Sequence, residues 1–354
     1  MIARRGVGRA ACDLDTSRRP RDNSARMPRD RFHREIDYLR ISLVDHCNLR
    51  CVYCMPLVTR RLPSSPRLLT AGEIELVARA ALAVGFRKIR LTGGEPTLRP
   101  DLLEIVERIA PLPGLRDLSL TTNGILLPRL APALKAAGLR RVNVHLDSLH
   151  PERLARVMRF GTLKEIWAGI MAAESAGLVP IKLNAVVTRG FNDEDVVDLA
   201  ALTLEHPWHV RFIELMPLGV GEPAALSRLA FVSSEETERR IVAALGPIAP
   251  LAASDPSDEA RNGRLAGGCG TVGFISPVSR PYCGTCNRMR LTADGKFHLC
   301  LLKDDELDVR RALASGGVAA VSEVLLQAIG AKPTGHRLSA NETIERREMF
   351  QLGG

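Results

Sequence analysis

The sequence predicts an α/β protein built on a parallel β-sheet with helices on its outside. Three observations lead to this fold class. Between residues 37 and 217, six short apolar runs alternate with helical patterns, and a β/α series of this kind forms a parallel sheet. The runs are continuously apolar rather than alternating, as in strands that are buried on both faces. The chain has 354 residues and is 45% apolar, which suffices for a sizeable core and excludes a disordered chain.

The predicted elements follow one another in a regular order. The strands cover residues 38–44, 88–93, 117–123, 141–147, 181–187 and 210–215. The helices lie near residues 71–84, 101–110, 127–137, 162–176 and 193–204, and glycines that stop a helix follow several of them. Closed barrels, partly open barrels and doubly wound sheets all fit this pattern, because periodicity alone does not distinguish them.

Four segments differ in composition. Residues 1–35 carry ten arginines and five acidic residues, and so +5 of the formal charge of +9. Because this segment has neither a sustained apolar period nor the apolar region of a secretory signal, we predict a flexible, solvated leader. Residues 36–248 form the β/α region, and residues 249–268, rich in Pro, Ser, Asp and Gly, are predicted to be a linker or surface loop. Residues 269–354 form a C-terminal region with short helices near 305–314 and 318–329.

Composition also limits the function classes. No uncharged apolar run reaches the length of about 18 residues that a membrane-spanning helix needs. Aromatic residues make up only 4% of the chain, which argues against a surface that stacks nucleic-acid bases on exposed rings.

The cysteines predict metal binding. Six of the eight fall into two close groups, while Cys12 and Cys269 stand apart; a disulfide framework is typical of small secreted domains instead. The first group, Cys47, Cys51 and Cys54, follows the first predicted strand with the spacing Cys-x3-Cys-x2-Cys. Three thiolates from one loop can hold a [4Fe–4S] cluster and leave one iron open, whereas structural zinc prefers four protein ligands.

The second cysteine group is Cys283, Cys286 and Cys300, with the spacing Cys-x2-Cys-x13-Cys. A zinc site with His298 as the fourth ligand fits this spacing, and so does a cluster with one open iron. Arg288 and Arg290 stand between these cysteines. Their guanidinium groups suit phosphate or carboxylate oxygens, and a structural zinc site has no need of them.

Two motifs together resemble the radical S-adenosylmethionine (SAM) superfamily. They are LVDHCNLRCVYCMP at residues 43–56 and TGGEPT at residues 92–97, after the next predicted strand. The resemblance implies a partial or full (β/α) barrel and a [4Fe–4S] cluster on the first cysteine group, whose open iron is chelated by SAM. One electron from that cluster would release a 5′-deoxyadenosyl radical.

From about residue 36 to its end, the chain closely resembles the GTP 3′,8-cyclase family of molybdenum-cofactor enzymes. The motifs that carry this resemblance include NVHLDSL, RFIELMP, CGTCNRMRLTADGKFHLC and the terminal Gly353–Gly354. The resemblance implies that the radical removes the ribose 3′ hydrogen of GTP and that C3′ then attacks C8. The product would be 3′,8-cyclo-7,8-dihydro-GTP, which a separate cyclic pyranopterin monophosphate synthase rearranges.

The same resemblance implies the site residues. A second, auxiliary [4Fe–4S] cluster on the second cysteine group would meet the guanine base. Contacts with SAM would come from Tyr53, Gly94, His145 and Met216. Contacts with GTP would come from Arg40, Arg90, Thr121, Lys182, Arg288, Met289 and Arg290. The terminal Gly353 and Gly354 would enter the active site. His145 stands where the family commonly has Ser, so His145 or Ser148 would make that contact.

Two other functions remain open from the residues. One is another radical SAM enzyme with an auxiliary cluster, for example one that modifies peptides. The other is a zinc-binding nucleic-acid module built on the basic charge, whose binding would fall steeply with salt. For the leading interpretation we expect a homodimer, an electron donor that the sequence does not identify, and no membrane or nucleic-acid partner. Oxygen-sensitive clusters imply a reducing cytoplasm.

Overall fold

A mixed β-sheet forms the centre of the computed structural model, which describes residues 27–56, 67–218, 221–253, 255–336 and 347–353. Six parallel strands lie side by side in chain order. They are β1 (Tyr38–Ser42), β2 (Lys88–Thr92), β3 (Asp117–Thr122), β4 (Arg141–His145), β5 (Lys182–Val187) and β6 (His209–Glu214). The helices between them are α1 (Ala71–Ala83), α2 (Leu102–Ile109), α3 (Leu127–Ala136), α4 (Pro151–Met158), α5 (Leu163–Ser175) and α6 (Val196–Glu205). The predicted α/β class with a parallel core sheet is confirmed.

The part of the chain that follows β6 extends this sheet at both edges. Its helices are α7 (Glu222–Leu229), α8 (Ser234–Leu245), α9 (Arg310–Ser315), α10 (Val318–Gly330) and α11 (Met349–Leu352). Its strands are β7 (Ile248–Pro250), β8 (Ala260–Leu265), β9 (Thr271–Ile275), β10 (Arg288–Leu291), β11 (Lys296–His298) and β12 (Glu306–Asp308). Strand β9 pairs in parallel with β6, and β10 pairs in parallel with β1, so eight parallel strands lie in a row. Residues from all eight line one cavity, which a partial barrel therefore encloses.

Two predicted segments differ from the structure. Residues 249–268 are not only a loop, because they contain β8, which pairs antiparallel with β7 and β9. The sequence of β8, ARNGRL, has few apolar residues, and Arg261 and Arg264 of this strand are exposed. Within the predicted helix 305–314, residues 306–308 form β12 and only residues 310–315 are helical.

Helix α1 shows how local sequence sets the outer layer. Thr70 caps the helix by accepting a hydrogen bond from the backbone N–H of Glu73, and the Glu73 carboxylate accepts one from the N–H of Thr70. Such a capping box satisfies two backbone donors that the first turn leaves free. Ile74, Val77 and Ala81 recur at helical spacing and are fully buried. Helix α10 packs against α1 and covers this side of the sheet.

The end of the Arg-rich leader is packed rather than solvated. Arg34 is buried, with 5% of its side chain exposed, and is paired with the fully buried Asp30. Its Nη1 donates to the carbonyl oxygens of Cys283 (2.8 Å) and Thr334 (2.9 Å), and its Nη2 donates to that of Pro333 (2.6 Å). This segment therefore ties the N-terminal side of the chain to the second cysteine group. Residues 1–26, including Cys12, lie outside the described residues.

Across the described ranges, no helix combines the length and the apolar character that crossing a membrane requires.

Candidate active site

The inner face of the parallel strands is polar and rich in cations. The strand register places Arg40 of β1 beside Arg90 of β2 on one side and Arg290 of β10 on the other. All three side chains are buried and line the cavity. Because side chains alternate between the two faces of a strand, Asn184, which lines the cavity, shares its face of β5 with Lys182.

The first cysteine group lies in the loop that follows β1. The carbonyl of Cys51 accepts hydrogen bonds from the backbone N–H groups of Cys54 (2.9 Å) and Met55 (3.0 Å), which turns the loop back on itself. All three thiols line the cavity. Burial raises the pKa of Cys47 to about 11 and raises the pKa of Cys54 well above its ordinary value, and neighbouring thiols add to both shifts. Thiolates in this loop therefore need a cationic partner, such as iron, near neutral pH.

The Gly-Gly-Glu-Pro segment after β2 packs directly against this loop. The backbone N–H of Gly94 donates to the carbonyl of Val44 (2.9 Å), and that of Glu95 donates to the carbonyl of His46 (2.8 Å). A Cβ atom on Gly94 would lie 2.0 Å from the His46 carbonyl oxygen, so only glycine fits there. Glu95 is buried and accepts hydrogen bonds from the backbone N–H of Asn123 and from hydroxyl groups beside it. Its carboxylate thus holds the loops together.

Tyr53, His145 and Asp147 form a compact polar group next to the first cysteines. The Tyr53 hydroxyl lies 2.8 Å from His145 Nε2 and donates to Asp147 Oδ2 at 2.8 Å. His145 Nε2 also lies 2.7 Å from Asp147 Oδ2 and 4.0 Å from Cys51 Sγ. Although burial lowers it, the Asp147 carboxylate raises the pKa of His145 well above its ordinary value. The ring is therefore a cation that faces the cavity beside the cysteine loop.

Ser148, the alternative to His145, points elsewhere. Its hydroxyl donates to the carboxylate of Asp195 and accepts from the backbone N–H of His150 (2.9 Å). It is fully buried. The structure thus brings His145 rather than Ser148 to the first cysteine group.

The second cysteine group lines the same cavity as the first. Cys283 begins the short 3-10 turn Cys283–Thr285, Cys286 follows that turn, and Cys300 follows β11. Burial opposes the ionisation of Cys286, but the cations Arg288 and Lys332 prevail and lower its pKa to about 6. Burial raises the pKa of Cys300.

Lys332 connects two of the segments that carry these cysteines. Its ammonium donates to the carbonyl oxygens of Arg288 and Leu299, at 2.8 Å each. The first carbonyl lies two residues after Cys286 and the second directly before Cys300. Only 2% of Lys332 is exposed, and burial lowers its pKa. Together with Arg34, which holds the carbonyl of Cys283, this lysine fixes the backbone around the whole group.

The buried arginines are joined by a carboxylate that the sequence did not reveal. Arg40 Nη2 donates to both carboxylate oxygens of Glu259 at 2.7 Å, and Arg288 Nη1 donates to one of them at 2.5 Å. Arg90 Nη1 lies 3.8 Å from the same carboxylate. Burial lowers the pKa of Arg90 and of Arg290 to about 9. The cavity wall here is a dense, partly neutralised cluster of positive charge.

Four further residues that were predicted to contact SAM or GTP lie at different places relative to the cavity. Thr121 and Met216 line the cavity, and Met216 packs in a small apolar cluster with Leu218 and Leu302. Lys182 is not among the lining residues, although it shares the inner face of β5; burial and nearby arginines lower its pKa to about 7. The side chain of Met289 packs in the hydrophobic core on the other face of β10, so the expected Met289 contact with GTP fails for its side chain.

The C-terminal segment returns the chain to the cavity. Arg290 Nη1 donates to the carbonyl oxygen of Gly353 at 2.8 Å. Gly353 has φ of 72°, and a Cβ atom there would lie 2.5 Å from Thr92 Cγ2. Only glycine therefore fits at this point of the wall. Gly354 lies outside the described residues.

The donor sets fit iron–sulfur clusters better than single ions. Within the described ranges, no three His, Cys, Asp or Glu side chains stand close enough to hold one metal ion. His298, the fourth zinc ligand that the spacing offers, lines the same cavity, and its Nδ1 lies 3.2 Å from Glu306. Because a cube carries its iron atoms at separate corners, it accepts cysteine thiolates that stand farther apart. Each group offers three such thiols to the cavity.

Sequence reasoning missed four charged residues here: Arg34, Arg211, Lys332 and Glu259. Arg211 could have been found from the sequence, because it is a charged residue within the apolar run VRFIEL. Lys182 stands within an apolar strand in the same way. Arg211 is buried and donates to Asn184 Oδ1 at 2.9 Å. Lys332 is one of only seven lysines in the chain. Nothing in the sequence singles out Glu259 as a site residue, because it stands in a polar segment with other acidic residues.

Two family models match the chain. The model described as the radical SAM superfamily matches residues 41–203. The model described as Molybdenum Cofactor Synthesis C matches residues 208–338. The first contains the Cys47–Cys54 loop, and the second contains the Cys283–Cys300 group.

Curated relatives match over almost their whole length. A GTP 3′,8-cyclase of Moorella thermoacetica is 47% identical over 328 residues, which is 92% of this chain and 99% of that protein. A GTP 3′,8-cyclase of Pelotomaculum thermopropionicum is 47% identical over 326 residues, with the same two coverages. One of Heliobacterium modesticaldum is 44% identical over 330 residues, again 92% and 99%.

Solved structures share the fold at low sequence identity. Streptococcus suis SuiB bound to precursor peptide SuiA gives a TM-score of 0.59 at 14% identity, over 84% of this chain and 65% of that one. SuiB bound to S-adenosylmethionine gives a TM-score of 0.54 at 14% identity, over 84% and 64%. Likeness at this identity concerns the arrangement of strands and helices.

Proposed function

The chain belongs to the GTP 3′,8-cyclase family of the radical SAM superfamily, and from this premise we propose that it cyclises GTP. The product is (8S)-3′,8-cyclo-7,8-dihydroguanosine 5′-triphosphate, and the reaction is the first step of molybdenum cofactor biosynthesis. One observation carries the proposal: both cysteine groups and five buried arginines line a single cavity. A nucleotide in that cavity can meet the second group while SAM occupies the first.

Membership of the radical SAM superfamily implies a [4Fe–4S] cluster and SAM, and the first cysteine group is the place for them. Cys47, Cys51 and Cys54 hold the cluster. When bound there, the cluster and SAM supply the 5′-deoxyadenosyl radical that removes the 3′ hydrogen of the ribose. The cofactors thus carry the difficult chemistry, and the protein supplies binding, orientation and a dry site.

The contacts with SAM come from groups around that loop. Gly94 has no side chain, so the backbone can approach the ligand closely. Tyr53 makes its contact through the backbone, because its hydroxyl already donates to Asp147. The ring of His145 offers a hydrogen bond to a carboxylate, and Met216 supplies apolar contact. Replacing His145 with Ala removes this donor and weakens SAM binding; an unchanged dissociation constant would reject the role.

The second cysteine group holds an auxiliary [4Fe–4S] cluster in this proposal, with Cys283, Cys286 and Cys300 as its ligands. A cluster held there would bind the guanine base of GTP. Arg40, Arg90, Arg288 and Arg290 take the phosphates, because guanidinium groups bind phosphate oxygens through paired hydrogen bonds. Thr121 offers a hydroxyl to the nucleotide, and Lys182 adds charge from the deeper part of the barrel. Met289 would act only through its backbone.

Further partners follow from the family. The cyclised product passes to a cyclic pyranopterin monophosphate synthase, an electron donor reduces the first cluster, and the working form is a homodimer. The cytoplasmic location stays a prediction.

An anaerobic reconstitution with iron and sulfide tests the proposal. Two [4Fe–4S] clusters correspond to about eight iron atoms per chain. With GTP deuterated at C3′, SAM and a reductant, we expect deuterium in 5′-deoxyadenosine and a cyclised nucleotide as product. A full iron content without deuterium transfer from GTP would contradict the proposal and favour a radical enzyme for another substrate. Zinc without iron would exclude both.

A further inference from the structure

Glu259 lies among the arginines that the proposed function gives to GTP. It accepts two hydrogen bonds from Arg40 at 2.7 Å and one from Arg288 at 2.5 Å, with Arg90 3.8 Å away. Only 13% of its side chain is exposed. The carboxylate therefore occupies the donor groups with which these arginines would otherwise bind phosphate.

The surroundings of Glu259 favour its charged form. Burial alone would raise its pKa, but Arg40, Arg288 and Arg90 hold the pKa of this carboxyl well below its ordinary value. The side chain is ionised at neutral pH. It offsets the mutual repulsion of arginines that stand side by side on neighbouring strands.

Other acids of the same segment face cations of the same barrel wall. Asp255 forms an ion pair with Lys88, at the start of β2. Burial lowers the pKa of Lys182, and the charge of Asp258 opposes that shift. Residues 255–259 lead into β8, and three of these five residues are acidic. We call residues 255–259 the acidic segment.

Carboxylates and phosphates compete for the same edges of a guanidinium group. Arg40 directs one terminal nitrogen to both oxygens of Glu259, so a phosphate reaches that nitrogen only when Glu259 moves away. The acidic segment lies between β7 and β8, and its Asp255 and Glu259 form ion pairs with Lys88 and with Arg40 and Arg288.

We propose that Glu259 is a displaceable counter-ion, which neutralises Arg40 and Arg288 in the free enzyme and is replaced there by the phosphates of GTP. The inference rests on the proposed function and adds a determinant of affinity to it. A triphosphate brings several negative charges and compensates for the lost pairs. A neutral nucleoside does not displace Glu259 and gains nothing from its removal.

Replacing Glu259 with Gln keeps the shape of the side chain and removes its charge. The matched control is Glu238→Gln, which removes a carboxylate that pairs with Arg261 at 3.1 Å outside the cavity. Both variants and the wild type are reconstituted with iron and sulfide without oxygen. Equilibrium dialysis then measures the dissociation constants of GTP, inorganic triphosphate and guanosine.

The expected result is a dissociation constant about tenfold lower for GTP and triphosphate in E259Q, equivalent to the loss of one charge-assisted hydrogen-bonded pair. Guanosine binding stays unchanged, and E238Q behaves as the wild type. Unchanged or weaker triphosphate binding in E259Q would overturn the proposal, because Glu259 would then remain in place and order the arginines.

A second variant covers the case in which E259Q does not take up iron. Glu259→Asp keeps the charge but is one methylene shorter, so it loses its paired contact with Arg40, and triphosphate binding tightens by a smaller factor. Weaker binding in E259D would contradict the inference.

If the wild type binds triphosphate but makes no cyclised product, the proposed function fails and the role of Glu259 stands. If neither GTP nor triphosphate binds to the wild type, both fail.

Discussion

The two cysteine groups contain the same number of thiols but differ in the charges around them. Around Cys47 and Cys54, burial and neighbouring acidic groups raise the thiol pKa, to about 11 for Cys47. Around Cys286, the cations Arg288 and Lys332 outweigh burial and lower the pKa to about 6. Both groups nevertheless line one cavity.

This difference indicates two separate tasks for the two groups. The first lies beside Tyr53, His145 and the Gly-Gly segment, which suit the polar end of SAM. The second lies beside the arginines, which suit a triphosphate. A cluster in a more positive environment is also easier to reduce, because net charge and hydrogen bonds set its potential. The second cluster should therefore have the higher reduction potential.

The largest effects should come from removing one ligand of each group. Both Cys51→Ala and Cys300→Ala abolish the cyclised product and lose about half of the roughly eight iron atoms. Only Cys51→Ala should also abolish 5′-deoxyadenosine, since the proposed function places SAM at the first group. Iron analysis and chromatography of the products check this separation. If Cys300→Ala keeps its full iron content, the second group holds no cluster.

A smaller effect, confined to the second cysteine group, is expected when Lys332 is replaced. Lys332→Met removes a buried charge and should lower the reduction potential of the second cluster by on the order of 60 mV, a tenfold change for a one-electron couple. Lys332→Arg, which keeps a positive charge, should lower the potential by less. Redox titration followed by electron paramagnetic resonance distinguishes the two clusters.

The matched control is Lys164→Met, on the exposed face of α5. This change should leave both potentials as they are. Equal shifts of both clusters in Lys332→Met would indicate a general loss of structure rather than a local charge effect.

The smallest effect concerns the pH dependence of GTP binding. Burial and the arginines Arg211, Arg141 and Arg90 lower the pKa of Lys182 to about 7. The free protein therefore loses this ammonium as the pH rises through 7, whereas bound triphosphate favours the charged form. Between pH 7 and pH 8, the dissociation constant of GTP should rise about fivefold, from the linkage of binding to one proton.

His209, which lies beside Lys182, does not titrate in this range, because burial and nearby cations lower its pKa to about 4. Dissociation constants measured from pH 7 to pH 9 test the expectation. In Lys182→Met the slope should disappear, and a slope that persists in this variant would assign it to another group.

The sequence predicted most of the β/α series, because each of the six strands is a mainly apolar run and most of the helices between them have a clear apolar period; it did not predict α4. It predicted the cysteine groups from spacing alone. It did not predict β8 or β12, because both are polar, partly exposed strands without an apolar run. They form strands by pairing with β9 and β11, and the pattern within one segment does not show its partner.

The same reason explains the missed site residues. Arg34 acts on the carbonyl of Cys283, which lies 249 residues away, and Arg40 pairs with Glu259, which lies 219 residues away. Neither partner can be recognised from its neighbours in the sequence. Conversely, the sequence predicted a contact between GTP and Met289, which lies between Arg288 and Arg290. Because side chains alternate along a strand, that of Met289 lies on the opposite face.

The central claim is that one nucleotide contacts both halves of this cavity. A crystal structure of the reconstituted protein with GTP, determined without oxygen, tests it most directly. The account predicts phosphate oxygens on Arg40 and Arg288, Glu259 displaced from them, and the guanine turned toward Cys283, Cys286 and Cys300. A triphosphate bound away from these arginines, or a guanine turned toward Cys47, would contradict it.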